Sequence, residues 1–259
     1  MKILLFCPLN PELDHSGNRV PQLFGRTNQS IFRQDYPQLD IWFSKGDNPF
    51  FDNNGRNNIL HNYKKARRMV LDGGYDALFT VEADMILPVD ALSKLAALEA
   101  DVAYGLYVFK ATATLSAFTE LSVDGGHSLR KSPDLARREW GNPIDVAGVG
   151  LGCTLIRRNV LEAIEFRLDE LRPTLHNDWF FAVDCQEHGF RQVCHTGVQC
   201  GHIAMKPSPR IIWPDIDQPR FYRNDYLDTI KHNPDGSIEI PIGLGEYTFT
   251  RKDLGLPED

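Results

Sequence analysis

Cysteine is scarce in this chain and shows no pairing pattern: five residues, an odd number, with no Cys-x-x-Cys. That excludes a disulfide-stapled scaffold and fits free thiols in a reducing compartment, so a cytoplasmic protein is expected. Long apolar runs are missing too, and none approaches the length needed to span a bilayer. The opening Met1-Lys2-Ile3-Leu4-Leu5-Phe6-Cys7-Pro8 is too short for a signal peptide and reads as a first strand. Positive charge is not in excess, with 28 Lys and Arg against 35 Asp and Glu and a net charge of −7. A general polyanion binder is thereby disfavoured. The basic clusters Lys64–Arg68 and Arg130–Arg138 read as solvated faces, and only the second hints at an anionic partner. Internal repeats and low-complexity tracts are likewise missing.

What is present is ordinary globular composition, 42% hydrophobic and 24% charged over 259 residues, enough for one large core or two modest ones. The stretch from Asp76 to Pro88 organises the rest. Ala77-Leu78-Phe79-Thr80-Val81 is a short apolar run of the buried-strand type, and Glu82 and Asp84 stand where it gives out. In an extended segment, residues two apart point the same way, so the two carboxylates are expected to act on one ligand. Pro88 suits a first helical turn, with Leu92, Leu95 and Ala96 at helical spacing behind it.

Before that stretch, Ile3–Phe6 and Leu39–Phe43 read as strands. Gln22–Arg33 reads as a helix with Leu23, Ile31 and Phe32 as its apolar members. Ile59, Tyr63, Ala66 and Val70 form one helix face that ends at Gly73-Gly74. The β-α-β-α-β order is that of a parallel sheet, and charge at the carboxyl edge of such a sheet is where ligands bind. After it, Ala100–Phe109 reads as one strand and residues 110–145 as an irregular excursion near the site. Gly148, Gly150 and Gly152 alternate ahead of an apolar strand, where glycine allows close backbone approach. Val160–Ile164 starts a short helix. A helix opening at His176–Trp179 is expected to take Asn177 or Asp178 as N-cap. Phe190–Cys194 and Val198–Cys200 read as two short strand-like pieces leading to Gly201-His202. From Lys206 the composition shifts to Pro, Asp, Arg and aromatics, which reads as a C-terminal extension, residues 206–259, wrapped on a main domain of residues 1–205.

Glu82, Asp84, Asp178 and His202 each fall at an element end. Two carboxylates and an imidazole suit Mn²⁺ or Mg²⁺, and a further carboxylate, Asp178, would be free to accept a proton. A rival zinc reading of Cys185, His188, Cys194, Cys200 and His202 matches no standard spacing. The order of these motifs over residues 1–205 resembles the GT-A class of glycosyltransferases, in particular the family 2-like members. The motifs are Gly73-Gly74-Tyr75-Asp76, the strand into Glu82-Ala83-Asp84-Met85, the run Gly148–Arg158, Asn177-Asp178-Trp179 with Gly189, and His202.

The resemblance implies an α/β fold of the GT-A type: Rossmann-like, with a mostly parallel central sheet flanked by helices. It implies a metal-dependent glycosyltransferase, inverting, that takes a nucleoside-diphosphate sugar to an acceptor hydroxyl. Asp84 and His202 would hold the metal, with Glu82 on the metal or a ribose in place of the family's usual Asp. Asp178 would be the base, with Asn177 replacing the usual preceding acid. Gly150 would line the sugar pocket, and Pro8, Asn10, Ser44 and Asp47 would hold the nucleoside. The acceptor stays open among a glycan, a lipid-linked glycan, a protein and a modified nucleic acid. Two alternatives stand beside this: a nucleotidyltransferase of similar architecture, although residues 8–20 carry only Arg19 as a basic residue, and a non-catalytic nucleotide-sugar or glycan-binding module.

Overall fold

In the computed structural model the described residues are 1–9, 21–45, 55–204, 210–226, 231–232 and 238–239. The first part of the chain alternates as expected: β1 (Ile3–Leu9), α1 (Pro21–Phe32), β2 (Leu39–Lys45), α2 (Gly55–Asp72) and β3 (Ala77–Val81). Next come the two-residue β4 (Met85–Ile86), α3 (Ala91–Ala96), β5 (Val102–Leu106), β6 (Val108–Phe109), β7 (Thr114–Leu115), β8 (Phe118–Ser122) and β9 (Gly125–Ser128). A 3₁₀ turn at Leu129–Lys131 precedes α4 (Pro133–Arg138), β10 (Pro143–Asp145), β11 (Cys153–Arg157), α5 (Arg158–Ala163), α6 (Asn177–Glu187), β12 (Gln192–Gln199) and β13 (Gly201–Ala204). The chain continues through β14 (Arg210–Pro214), β15 (Tyr222–Tyr226), β16 (Lys231–His232) and β17 (Ile238–Glu239).

Among the described residues, seven strands form the central sheet in the order β10-β12-β5-β11-β3-β1-β2. β1, β2 and β3 run parallel, as do β5 and β12. β11 lies antiparallel between β3 and β5, and β10 is antiparallel to β12. The sheet is therefore mostly parallel, with two reversed strands that the sequence pattern did not announce. Both come after β5, beyond the short strands β6–β9 and outside the regular strand-helix alternation of the first part of the chain.

Every residue of β3 is buried, which explains its unbroken apolar run. On α2 the expected face holds: Tyr63, Ala66 and Val70 are buried, while Ile59 at the open end is partly exposed. The helix stops where Gly74 takes a φ of +66°, and the Tyr75 N–H closes back on the Val70 carbonyl at 3.3 Å. On α1, Ile31 is buried but Phe32 is 66% exposed, so Phe32 belongs to the surface and not to the core stripe.

Three expectations are corrected. The run Ala100–Phe109 is not one strand: it breaks at Tyr107, and β6 leaves the central sheet to pair with β7. Residues 110–145 are not irregular but carry several short elements, including the β8–β9 hairpin. Elements this short contain too few residues to show a period. The two pieces expected around Cys194 and Cys200 are a single strand, β12, whose register with β5 shifts between His195 and Gln199.

A second sheet, in the order β15-β14-β13-β4, stands at the end of β3. No helix among the described residues is long and apolar enough to cross a membrane.

Candidate active site

The two acids follow β3 directly. The Glu82 N–H adds one more rung toward β11 by donating to the Gly152 carbonyl at 3.2 Å. The chain then turns, with the Met85 N–H donating to the Glu82 carbonyl at 3.0 Å. Glu82 and Asp84 thus come together across a tight turn, and not by the extended alternation expected from their spacing. The turn feeds β4, which pairs antiparallel with β13 so that Met85 faces His202. The Ile203 N–H also donates to the Asp84 carbonyl at 2.8 Å. This register carries His202, far away in sequence, to the carboxylates.

One ligand atom from each of Glu82, Asp84 and His202 lies within 4.8 Å of the other two. His202 is 4% exposed. Its Nδ1 sits 2.7 Å from the Val108 carbonyl, an acceptor, so Nδ1 carries the proton and donates. Nε2 is left with its lone pair, 3.5 Å from Asp84 Oδ1, and has no hydrogen-bond partner among the described residues. A buried imidazole fixed on one nitrogen with the other unpartnered and turned to carboxylates is the posture of a metal ligand. The donor set, two carboxylates and an imidazole, suits Mn²⁺ or Mg²⁺ better than a thiol-seeking ion. The residues present therefore fit a divalent cation.

The electrostatics follow from crowding. Burial, then the negative charges of Asp84 and Asp178, push the Glu82 carboxyl up to about 8. Burial raises the Asp84 carboxyl, but Lys110, and the His202 ring when it is protonated, outweigh it and hold that carboxyl well below the usual range. Lys110 forms an ion pair with Asp84 Oδ2. On β1, burial, and then the negative charges of Asp84 and Glu82, raise the Cys7 thiol.

Asp178 opens α6, but it does not cap it. The N-cap is His176, without a side-chain bond, contrary to the expected Asn177 or Asp178. Asp178 Oδ1 instead accepts from the Trp179 N–H at 2.8 Å. Burial raises its carboxyl, opposed by the N–H of Trp179, by His176 and by its own N–H. Between Asp178 and the acid pair runs the glycine segment. The Thr80 hydroxyl donates to the Leu151 carbonyl at 2.7 Å, and the Thr154 hydroxyl to the Gly150 carbonyl at 3.0 Å. A Cβ on Gly150 would collide with the Tyr107 hydroxyl and reach 3.0 Å from Asp178 Oδ2. The close approaches these glycines permit are thus to protein side chains.

Pro8 and Ser44 face each other in the β1–β2 register at the same sheet edge, and Ser44 is buried with an unpartnered hydroxyl. Asn10 and Asp47 lie outside the described residues. Sequence reasoning missed the segment 107–110. Tyr107 packs edge-on against His202 at 5.5 Å, Val108 orients the imidazole, and Lys110 pairs with Asp84. Only the break in an aromatic-rich run could have signalled it.

No family model matches the chain, and no curated protein matches it in sequence. Among solved structures, A197 from STIV superposes with a TM-score of 0.52 at 20% identity, over 90% of this chain and 99% of that one. TarS from S. aureus, residues 1–349, solved with UDP, gives 0.43 at 12% identity over 81% and 59%. GalNAc-T7, solved with UDP, GalNAc and Mn²⁺, gives 0.48 at 12% over 78% and 44%. The likeness to A197 is one of fold. Of the expected fold class, the α/β architecture with a mostly parallel central sheet is the one found.

Proposed function

We propose that this chain is a metal-dependent, inverting glycosyltransferase that moves a sugar from a nucleoside-diphosphate donor to an acceptor hydroxyl. One observation carries the reading: a ligand atom from each of Glu82, Asp84 and His202 converges within 4.8 Å at the carboxyl end of a buried parallel strand, and the His202 Nε2 has no hydrogen-bond partner among the described residues. Asp178 stands across the glycine segment from them. Asp84, His202 and Glu82 would hold Mn²⁺ or Mg²⁺. Such a cation would supply positive charge for a departing diphosphate.

The protein's own groups do the rest. Asp178, with Oδ1 fixed by the Trp179 N–H, presents Oδ2 toward Gly150 and takes the acceptor proton. Its burial makes it a stronger base than an exposed aspartate. Tyr107 and the glycines set the spacing between base and acid pair. Pro8 and Ser44 hold the nucleoside at the adjoining strand ends, together with Asn10 and Asp47, and Gly150 lines the sugar.

Residues 1–205 form the catalytic unit in this reading, with 206–259 packed on it. All five cysteines are free, which supports a cytoplasmic setting. The test is a panel of nucleoside-diphosphate sugars, each assayed for slow hydrolysis and for transfer with Mn²⁺ and with a chelator. Asp178→Asn should keep donor binding and lower transfer by a factor on the order of 10²–10⁴. Turnover within a few-fold of wild type would remove Asp178 from the reaction. Metal-insensitive donor binding would remove the cation.

A further inference from the structure

We propose that Lys110 is a second cation of this site: its ammonium holds Asp84 until a divalent ion takes that carboxylate, and then serves the donor's diphosphate. This rests on the glycosyltransferase reading above. The Asp84 carboxylate is paired with Lys110 through Oδ2, while Oδ1 lies 3.5 Å from His202 Nε2. A divalent ion bound to the Glu82–Asp84–His202 group would meet the ammonium at close range, and two like charges that near repel strongly. One of them must move, and since the ion's ligand His202 is fixed, it is the ammonium. His202 is 5% exposed at its side chain and tied to the Val108 carbonyl, whereas the Lys110 side chain is 39% exposed and has a flexible four-carbon stem.

The position of the stem makes the exchange productive. Lys110 directly follows β6, whose Val108 carbonyl orients the His202 imidazole. Its anchor is therefore fixed relative to the metal ligands while its tip is mobile. When a nucleoside diphosphate arrives, the only change Lys110 needs is to swing from one anion to another. An ammonium is a compact point charge with three donors, well suited to phosphate oxygens. The same cation thus keeps Asp84 from standing as an uncompensated charge in the empty site and adds to the positive field around the leaving group once the site is filled.

Mn²⁺ binding to the full chain without nucleotide, followed by the loss of the free-ion electron paramagnetic resonance signal, reads the first half. Lys110→Met keeps the stem and removes the charge, and should tighten Mn²⁺ binding on the order of three- to tenfold. Lys110→Arg should stay near wild type, and the gap between Met and wild type should shrink as salt is raised. Titration with inorganic pyrophosphate at saturating Mn²⁺ reads the second half, where Lys110→Met should bind about tenfold more weakly. If wild type binds Mn²⁺ and Lys110→Met binds it no more tightly, Lys110 does not guard Asp84 and the proposal is overturned while the metal site stands. Equal pyrophosphate affinity in the two proteins overturns the diphosphate role. No Mn²⁺ binding by either protein, with native circular dichroism, overturns the metal reading and this inference together.

Discussion

At the scale of single residues, Glu82 carries the largest consequence for solution behaviour. Its carboxyl is raised to about 8, first by burial and then by Asp84 and Asp178. In the unfolded chain the same group titrates near 4.5. Between those values the folded state binds the extra proton, so stability falls as pH rises through the window. In metal-free protein, Glu82→Gln should therefore flatten the decline between about pH 5 and 8 and leave the variant more stable than wild type at pH 8. Denaturant melts in chelator across that range check it. Parallel pH profiles for the two proteins would show that Glu82 is not held protonated. The acids themselves were legible from sequence, because a buried strand ending in Glu-x-Asp is a local pattern. Lys110 and Tyr107 were not. An exposed lysine after an aromatic run carries no local sign that its tip reaches Asp84, because that contact exists only once β6 leaves the central sheet.

At the scale of elements, the glycine segment ahead of β11 joins the acid pair to Asp178. Its carbonyls are pinned by Thr80 and Thr154, two fully buried hydroxyls. Gly150→Ala would drive a Cβ into the Tyr107 hydroxyl and the Asp178 carboxylate. Relief requires the segment to move, so the cost should be about 1–3 kcal/mol of stability. Asp178 should move with it, so transfer should fall by more than the unfolded fraction explains. Gly74→Ala is the control: it forces a non-glycine residue into a φ of +66° at the end of α2, at a cost of about 1–2 kcal/mol. Its transfer rate per folded molecule should match wild type. Equal activity losses in the two variants would reduce the Gly150 effect to stability alone. Helices and parallel strands with long apolar periods were readable here, as α2 and β3 illustrate. The reversed β11 was not, because a strand buried on both faces has the same apolar pattern in either direction.

At the scale of the whole molecule, His202 belongs to the smaller sheet while the acids belong to the turn that leaves the larger one. That turn enters the smaller sheet through β4, which pairs with β13 over two residue pairs, Gly201 with Ile86 and His202 with Met85. So short a ladder would fix an edge strand poorly. The other side of β13 is secured by β14, which pairs Ile212 opposite His202, and by β15 beyond it. Gly201 deepens that contact: a Cβ there would meet the Trp213 ring at 2.7 Å and Ile211 at 2.8 Å, so only glycine lets β14 pack this closely. β14 and β15 therefore act on the site by holding the strand that carries His202. A chain ending at residue 205 should keep the far-ultraviolet spectrum of its central sheet but melt at a lower temperature. Its Mn²⁺ affinity should fall about 10- to 100-fold, the range for losing the support of a metal ligand. Adding His202→Ala to the shortened chain should cost much less than the same change in the full chain, since both act on one ligand. If the shortened chain binds Mn²⁺ as the full one does, the pairing of β4 with β13 and the Val108 carbonyl suffice to place His202, and the later strands serve another purpose.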